Sequence, residues 1–279
     1  MFMKSNDLED NYRKRIRHNY SPIFYKKSAK FMHDIGLPKL LFDNIEVNGV
    51  ENVKKVEDKQ LFYVSNHLSM ADFLVQGYVF WKEKLPIPRF IAGENLFHFP
   101  FGSFWKKCGA ISINRDGNSN YLRVFKDEIQ KYLLEGENLL DYAEGGRNYS
   151  GHGVKEFKTG LFGSLIDAVA KEKDIYVMPV NISYDKRIEE RFLAKVEKNK
   201  NKRDENLKKG NKIIAGIYDK IYFGLDVFSY FARPFDSGRG SAYLKFGEPF
   251  RVKDFIKDIE EKKKFILAEK VRKDIESLA

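Results

Sequence analysis

The chain has 279 residues, 43% of them hydrophobic, with 24 Phe and 15 Tyr, which suits one large α/β domain built on an aromatic core. A net charge of +10 leaves three partner classes open, namely nucleic acid, an anionic membrane surface and phosphorylated small molecules. The single cysteine, Cys108, excludes an internal disulfide and fits a reducing compartment, no apolar run approaches the ~18 residues of a spanning helix, and the polar stretch 1–20 lacks the apolar centre of a secretory signal.

In chain order, residues 20–42 place Ile23, Phe24, Phe31, Met32, Ile35, Leu40 and Leu41 among Lys26, Lys27, Lys30 and Lys39. Pro22 and Pro38 confine a helix to the span between them, and its basic and aromatic faces suit either packing or a membrane interface. Alternation over 45–50 predicts a strand turning at Asn48-Gly49. Leu61 to Val64 form a short apolar strand that runs into Ser65-Asn66-His67, and a helix is expected from about Ala71 to Trp81. Strands at 89–92, 110–113, 138–143 and 174–183 then alternate with helices at 101–107, 121–134 and 161–170. A charge-rich helical stretch follows at 187–212, with eight Lys or Arg against three carboxylates between Lys195 and Lys212. It suits a solvated surface, bilayer phosphates or an acidic carrier protein. Residues 226–235 and 241–246 read as closing strands, and 254–278 as one charged amphipathic helix.

The pattern predicts an α/β fold: a single, mostly parallel or mixed sheet flanked by helices. Residues 1–42 would be a small N-terminal amphipathic helical segment, and 43–279 the α/β domain. Ligands of such sheets bind at the carboxyl ends of the strands, and His67, Arg115 and the Glu144–Arg147 stretch each follow a predicted strand. His67 precedes Asp72 by five residues, a spacing that on a continuous helix sets the two side chains about 140° apart. They meet only if His67 sits in the turn before the helix and Asp72 in its first turn.

Asn66-His67-Leu-Ser-Met-Ala-Asp72, Gly109-Ala-Ile-Ser-Ile-Asn-Arg115, Glu144-Gly-Gly-Arg147 and Val177-Met-Pro-Val180 follow one another along the chain. In sequence and order they resemble the first to fourth motifs of the glycerolipid acyltransferase superfamily, the glycerol-3-phosphate and 1-acylglycerol-3-phosphate acyltransferases. Gly93-Glu-Asn-Leu96, Lys158-Thr-Gly160, Ile182-Ser-Tyr-Asp185 and Phe246-Gly-Glu-Pro249 resemble the branch that acylates glycerol 3-phosphate or dihydroxyacetone phosphate. Asn148-Tyr-Ser-Gly151 departs from that branch, which usually carries basic residues there, and the Ile-Asn-Arg ending of the second motif is nearer the lysophosphatidate style.

The resemblance implies an O-acyltransferase of phospholipid biosynthesis. It moves a fatty acyl group from acyl-CoA or acyl-carrier protein to glycerol 3-phosphate, or alternatively to 1-acylglycerol 3-phosphate to make phosphatidate. His67 would act as general base with Asp72 holding its tautomer, and backbone N–H groups of Gly145 and Gly146 would stabilise the oxyanion. Arg115, Glu144, Arg147 and Lys158 would serve the acceptor phosphate, with the arginine forks as the main contacts. No metal or other cofactor and no nucleic-acid partner is expected, and His152 is the one further histidine near the third motif. The expected place is the cytoplasmic face of the membrane, held peripherally, with residues 20–42 as the candidate anchor.

Overall fold

The structure, a computed structural model, describes residues 5–97, 102–114, 118–151, 153–235 and 238–279. Helix α1 (Ser5–Ile16) is followed by α2 (Pro22–Asp34), α3 (Leu37–Leu41), strand β1 (Asn44–Asn48) and α4 (Val50–Lys54). Then come β2 (Gln60–Ser65), α5 (Asp72–Lys82), β3 (Arg89–Gly93), α6 (Gly102–Lys107), β4 (Ala110–Ile113), α7 (Ser119–Leu134) and β5 (Leu139–Asp141). The chain continues through α8 (Gly160–Ala170), β6 (Ile175–Tyr184), α9 (Leu193–Lys208) and α10 (Lys212–Ala232). It closes with β7 (Ser241–Phe246), β8 (Phe250–Arg251), α11 (Val252–Ile256) and α12 (Lys263–Ser277).

The strands form one eight-stranded sheet in the order β1-β7-β6-β2-β5-β3-β4, with β8 paired to β6. β6, β2, β5, β3 and β4 run parallel, and β7 and β8 are antiparallel to β6. β1 pairs parallel with β7, from Asn44 opposite Ser241 to Asn48 opposite Lys245. The expected mixed, mainly parallel sheet is what the chain forms.

Strand β2 shows why helices cover both faces. Its side chains alternate across the sheet, and all four apolar ones are fully buried. Phe62 and Val64 enter a core with α7, α8 and α12, whereas Leu61 and Tyr63 enter a second core with α2 and α5. A strand buried on both faces reads as a continuous apolar run, as Leu61 to Val64 do.

The N-terminal segment read as helical carries α1, which docks on α7 because Glu128, buried there, accepts from Arg13, Arg17 and Lys131, while Ile16 and Tyr12 join the core. Two stretches differ from the sequence reading. Residues 226–235 are not a strand: α10 runs to Ala232, and 233–235 form a 3-10 turn. The Phe, Tyr and Val content suggested β structure, but α10 packs along α9, which supplies a tertiary partner that overrides propensity. Residues 254–278 are two helices, α11 and α12, separated by a break that ends at Lys262 with φ +56.

The turn read at Asn48-Gly49 is real, and its glycine is required twice over. Gly49 has φ +77, and a Cβ there would lie 2.0 Å from the carbonyl oxygen of Phe246. We expect Gly49→Ala to lower unfolding stability by about 3 kcal/mol, from left-handed strain plus a clash with backbone that cannot swing aside. Urea denaturation of the two proteins checks it.

Candidate active site

β2 delivers the chain to the site, and α5 begins it. Asn66, just past β2, uses its side-chain amide as if it were backbone: Nδ2 donates to Ile182 O at 2.9 Å and Oδ1 accepts from Ile182 N at 2.8 Å. This side chain continues the β2–β6 ladder and releases the main chain to turn. His67 lies in that turn, and Asp72 is the first residue of α5. His67 Nδ1 stands 2.7 Å from Asp72 Oδ2, the meeting the spacing of five required.

Asp72 is fully buried, and every contact made to it is from a donor. Leu68 N donates at 2.7 Å, Ser69 N at 3.1 Å and the Tyr184 hydroxyl at 2.6 Å. Burial and the Asp72 charge push the Tyr184 phenol well above its usual range, so it stays protonated and donates. Facing a carboxylate that only accepts, His67 Nδ1 carries the proton, so Nε2 is the basic nitrogen of the ring. The ring is held flat against Tyr142, with centroids 4.5 Å apart.

The third motif brackets His67 from both backbone sides. His67 N donates to Glu144 Oε1 at 3.1 Å, and Asn148 N donates to His67 O at 2.6 Å. The Glu144 carboxylate therefore holds the histidine's backbone amide. Glu144 Oε2 is buried with no hydrogen-bond partner. Burial pushes the carboxyl up to about 7.

Arg147 is held instead by Glu189, a fully buried carboxylate, with Nη1 to Oε1 at 3.2 Å. Glu189 also accepts from Ser69 Oγ at 2.7 Å and Met70 N at 3.1 Å. One side chain thus ties the third motif to the turn that holds His67. Sequence reasoning missed both Glu189 and Tyr184 as site residues. Tyr184 lies in the quoted stretch 182–185, where a tyrosine at a strand end beside a buried aspartate was the available signal. Glu189 sits at the edge of a charge-rich stretch and carries no signal of its own.

The other expected residues separate. Gly145 has φ +71 and its N–H is bonded to Tyr142 O at 3.0 Å, while Gly146 lines the cleft. Lys158 is exposed, its N–H bonds Ala143 O at 2.8 Å, and its side chain lies over the Cα of Gly145. Arg115 and His152 lie outside the described residues.

A cleft of about 120 Å³ opens over His67, lined also by Met70, Phe73, Phe90, Arg147 and Lys200. Behind Phe73 and Phe90 is an apolar cavity of about 40 Å³ between α2, α5 and α6. Cys108 lines this cavity, and burial pushes its thiol up to about 12, so it is no thiolate nucleophile. Among the described residues, no group of three or more His, Cys, Asp or Glu is placed to hold a metal.

A histidine just past the carboxyl end of a strand, with Nδ1 on a buried aspartate, thus lines a cleft that Arg147 and Lys200 also line. Residues 44–183 match the Acyltransferase family, and the chain belongs to it. It is 28% identical over 249 residues to a glycerol-3-phosphate acyltransferase of Pseudoalteromonas translucida (strain TAC 125), covering 87% of this chain and 28% of that one. It is 26% identical over 253 residues to one of Shewanella sp. (strain ANA-3), covering 88% and 29%. The chain therefore spans little more than a quarter of the length of the curated relatives it matches. The crystal structure of the 1-acyl-sn-glycerophosphate (LPA) acyltransferase PlsC from Thermotoga maritima shares the fold, with a TM-score of 0.51 at 20% identity over 91% of this chain and 79% of that one.

Glu144 supplies a pH prediction. Its carboxyl binds a proton more tightly folded, near 7, than at its ordinary value of 4.5. Stability is therefore lost as pH rises from about 4.5 and levels off above about 7, by up to about 3 kcal/mol. Glu144→Gln keeps the acceptor for His67 N without the charge. Denaturant midpoints should show the variant gaining on the natural chain between pH 5 and pH 8; equal slopes with pH would refute it.

Proposed function

We propose that this chain transfers a fatty acyl group from acyl-CoA or acyl-carrier protein to the hydroxyl of glycerol 3-phosphate. The observation that carries the reading is the His67–Asp72 pair at 2.7 Å in a cleft that also holds Arg147. Support comes from the names of the relatives, glycerol-3-phosphate acyltransferases, whose similarity covers 87–92% of this chain.

His67 Nε2 takes the proton of the acceptor hydroxyl as its oxygen attacks the thioester carbonyl. The imidazolium that forms is stabilised by Asp72, whose position the backbone N–H groups of Leu68 and Ser69 already fix. In the tetrahedral intermediate the oxyanion faces the Gly146 side of the cleft. Collapse breaks the C–S bond, and the departing sulfur takes the proton back from His67, so the products are the ester and the free thiol.

Arg147 and Lys200 supply fixed positive charge for the acceptor phosphate, and Arg115 and Lys158 remain candidates to add to it. Arg147 is well suited because Glu189 and the Tyr149 ring, whose centroid is 5.2 Å from the guanidinium carbon, set its plane before substrate arrives. The apolar cavity behind Phe73 and Phe90 suits the start of an acyl chain. The buried, protonated Cys108 favours direct transfer without an acyl-enzyme. Attachment is peripheral, on the cytoplasmic membrane face, and among the described residues no helix is long and apolar enough to cross a membrane.

Purified protein offered palmitoyl-CoA or acyl-carrier protein should acylate glycerol 3-phosphate, and His67→Ala should lower kcat by about 10²- to 10⁴-fold. Turnover of 1-acylglycerol 3-phosphate alone would reassign the acceptor. Turnover of neither, or an active His67→Ala, would overturn the mechanism. Arg147→Lys loses the planar fork and should raise KM for the acceptor about tenfold or more with a smaller effect on kcat. Steady-state kinetics with varied acceptor separate the two constants.

A further inference from the structure

Between β6 and β7 the chain leaves the sheet and makes a hairpin of two helices, α9 and α10, packed along one another. Among the described residues, no other element covers its outer surface. Ile213, Ile217, Ile221, Phe228 and Phe231 recur at intervals of four, four, seven and three residues, which places them on one side of α10. That side faces outward: Ile213 is 84% exposed, Ile217 53% and Phe231 67%. At 21 residues and 1.5 Å per residue, the stripe runs for about 30 Å. Asp219 and Lys220 interrupt the helix, which suits lying along an interface and not crossing one.

Charge lies beside the stripe. Residues 193–220 hold nine Lys or Arg against four carboxylates, and Lys195, Lys198, Lys202, Lys208, Lys212 and Lys220 are exposed. Three of the carboxylates are already engaged: Asp204 by Lys200 and Arg203, Glu205 by Lys209 and Asp219 by Arg203. An apolar stripe flanked by lysines matches a surface with acyl chains below and phosphates above. A second copy of this chain would bring the same positive flank against itself.

The hairpin is also fastened to the site. The Tyr230 hydroxyl donates to Met70 O at 2.9 Å, in the turn that carries His67, and Lys200 of α9 lines the cleft. At the far end, the buried Arg233 donates through Nε to Leu41 O at 3.0 Å, so α10 ends against α3. Leu40 and Phe235, each close in sequence to that junction, are exposed, as are Ile23, Phe31 and Ile35 on and just after α2.

We propose that α10 is an interfacial helix that lies in the headgroup plane of an anionic lipid bilayer, its isoleucine and phenylalanine stripe among the acyl chains and the lysines of the hairpin on lipid phosphates. Docking sets the cleft mouth at the surface where a lipid product leaves. The surface does not depend on which acceptor is used, since its test reads binding and not turnover.

The test is flotation of the full chain with vesicles of phosphatidylcholine alone or with 30% phosphatidylglycerol. The natural chain should float with the anionic vesicles and about tenfold less with the neutral ones, with binding weakened in 0.5 M salt. Ile217→Glu combined with Phe231→Glu should lower the bound fraction about tenfold and leave the thermal melt unchanged, because both side chains are exposed. Full binding by this double variant, with loss instead in Ile23→Glu/Phe31→Glu, would overturn the proposal. So would loss of a dimer in the α10 variant with vesicle binding intact. Should the double variant fold poorly, Ile217→Cys carrying an environment-sensitive dye decides: a blue shift on anionic vesicles supports the docking, and no shift refutes it. Cys108 is buried, so the label goes to the introduced thiol.

Discussion

A carboxylate taken wholly out of water has to be surrounded by donors, and the site is arranged around that requirement at Asp72. Two of its donors are backbone N–H groups of the turn at Leu68 and Ser69, which only this turn conformation aims inward. A third is a phenol from the end of β6, and the fourth is the His67 imidazole. The aspartate that fixes the tautomer of His67 is therefore also what folds the turn on which His67 sits. A second buried carboxylate, Glu189, repeats the arrangement one layer out, on Ser69, Met70 and Arg147. His67 and Arg147 are thus held in one frame by two buried carboxylates.

Glu144 stands apart from this pair. One oxygen holds the His67 amide, but burial outweighs that bond and the nearby Lys155, so its proton affinity rises. The same burial that stabilises a well-surrounded carboxylate makes a half-surrounded one costly.

Much of this was legible beforehand because it rests on short-range rules. The apolar run at Leu61 to Val64, the turn glycine at 49 and the His67–Asp72 spacing each predict a local conformation that the structure contains. What escaped was set by partners distant in the chain. α1 looks too polar to pack, and only Glu128, more than a hundred residues away, gives its arginines a reason to dock. Glu189 reads as one more surface charge until Ser69 and Arg147 are seen around it. In α10 the aromatic and β-branched residues argued for a strand, while the four-residue recurrence of isoleucine was the better guide.

The pairing of β1 with β7 has a consequence for the order in which the chain is assembled. Asn44 lies opposite Ser241, so this edge of the sheet closes only once everything between those two residues has been synthesised. Until then β1 has no ladder partner. Contacts of such long sequence separation slow folding and prolong the life of unpaired strand edges. For a chain that carries an uncovered apolar helix as well, that interval is when aggregation competes with folding, and chaperone protection of nascent chains matters most there.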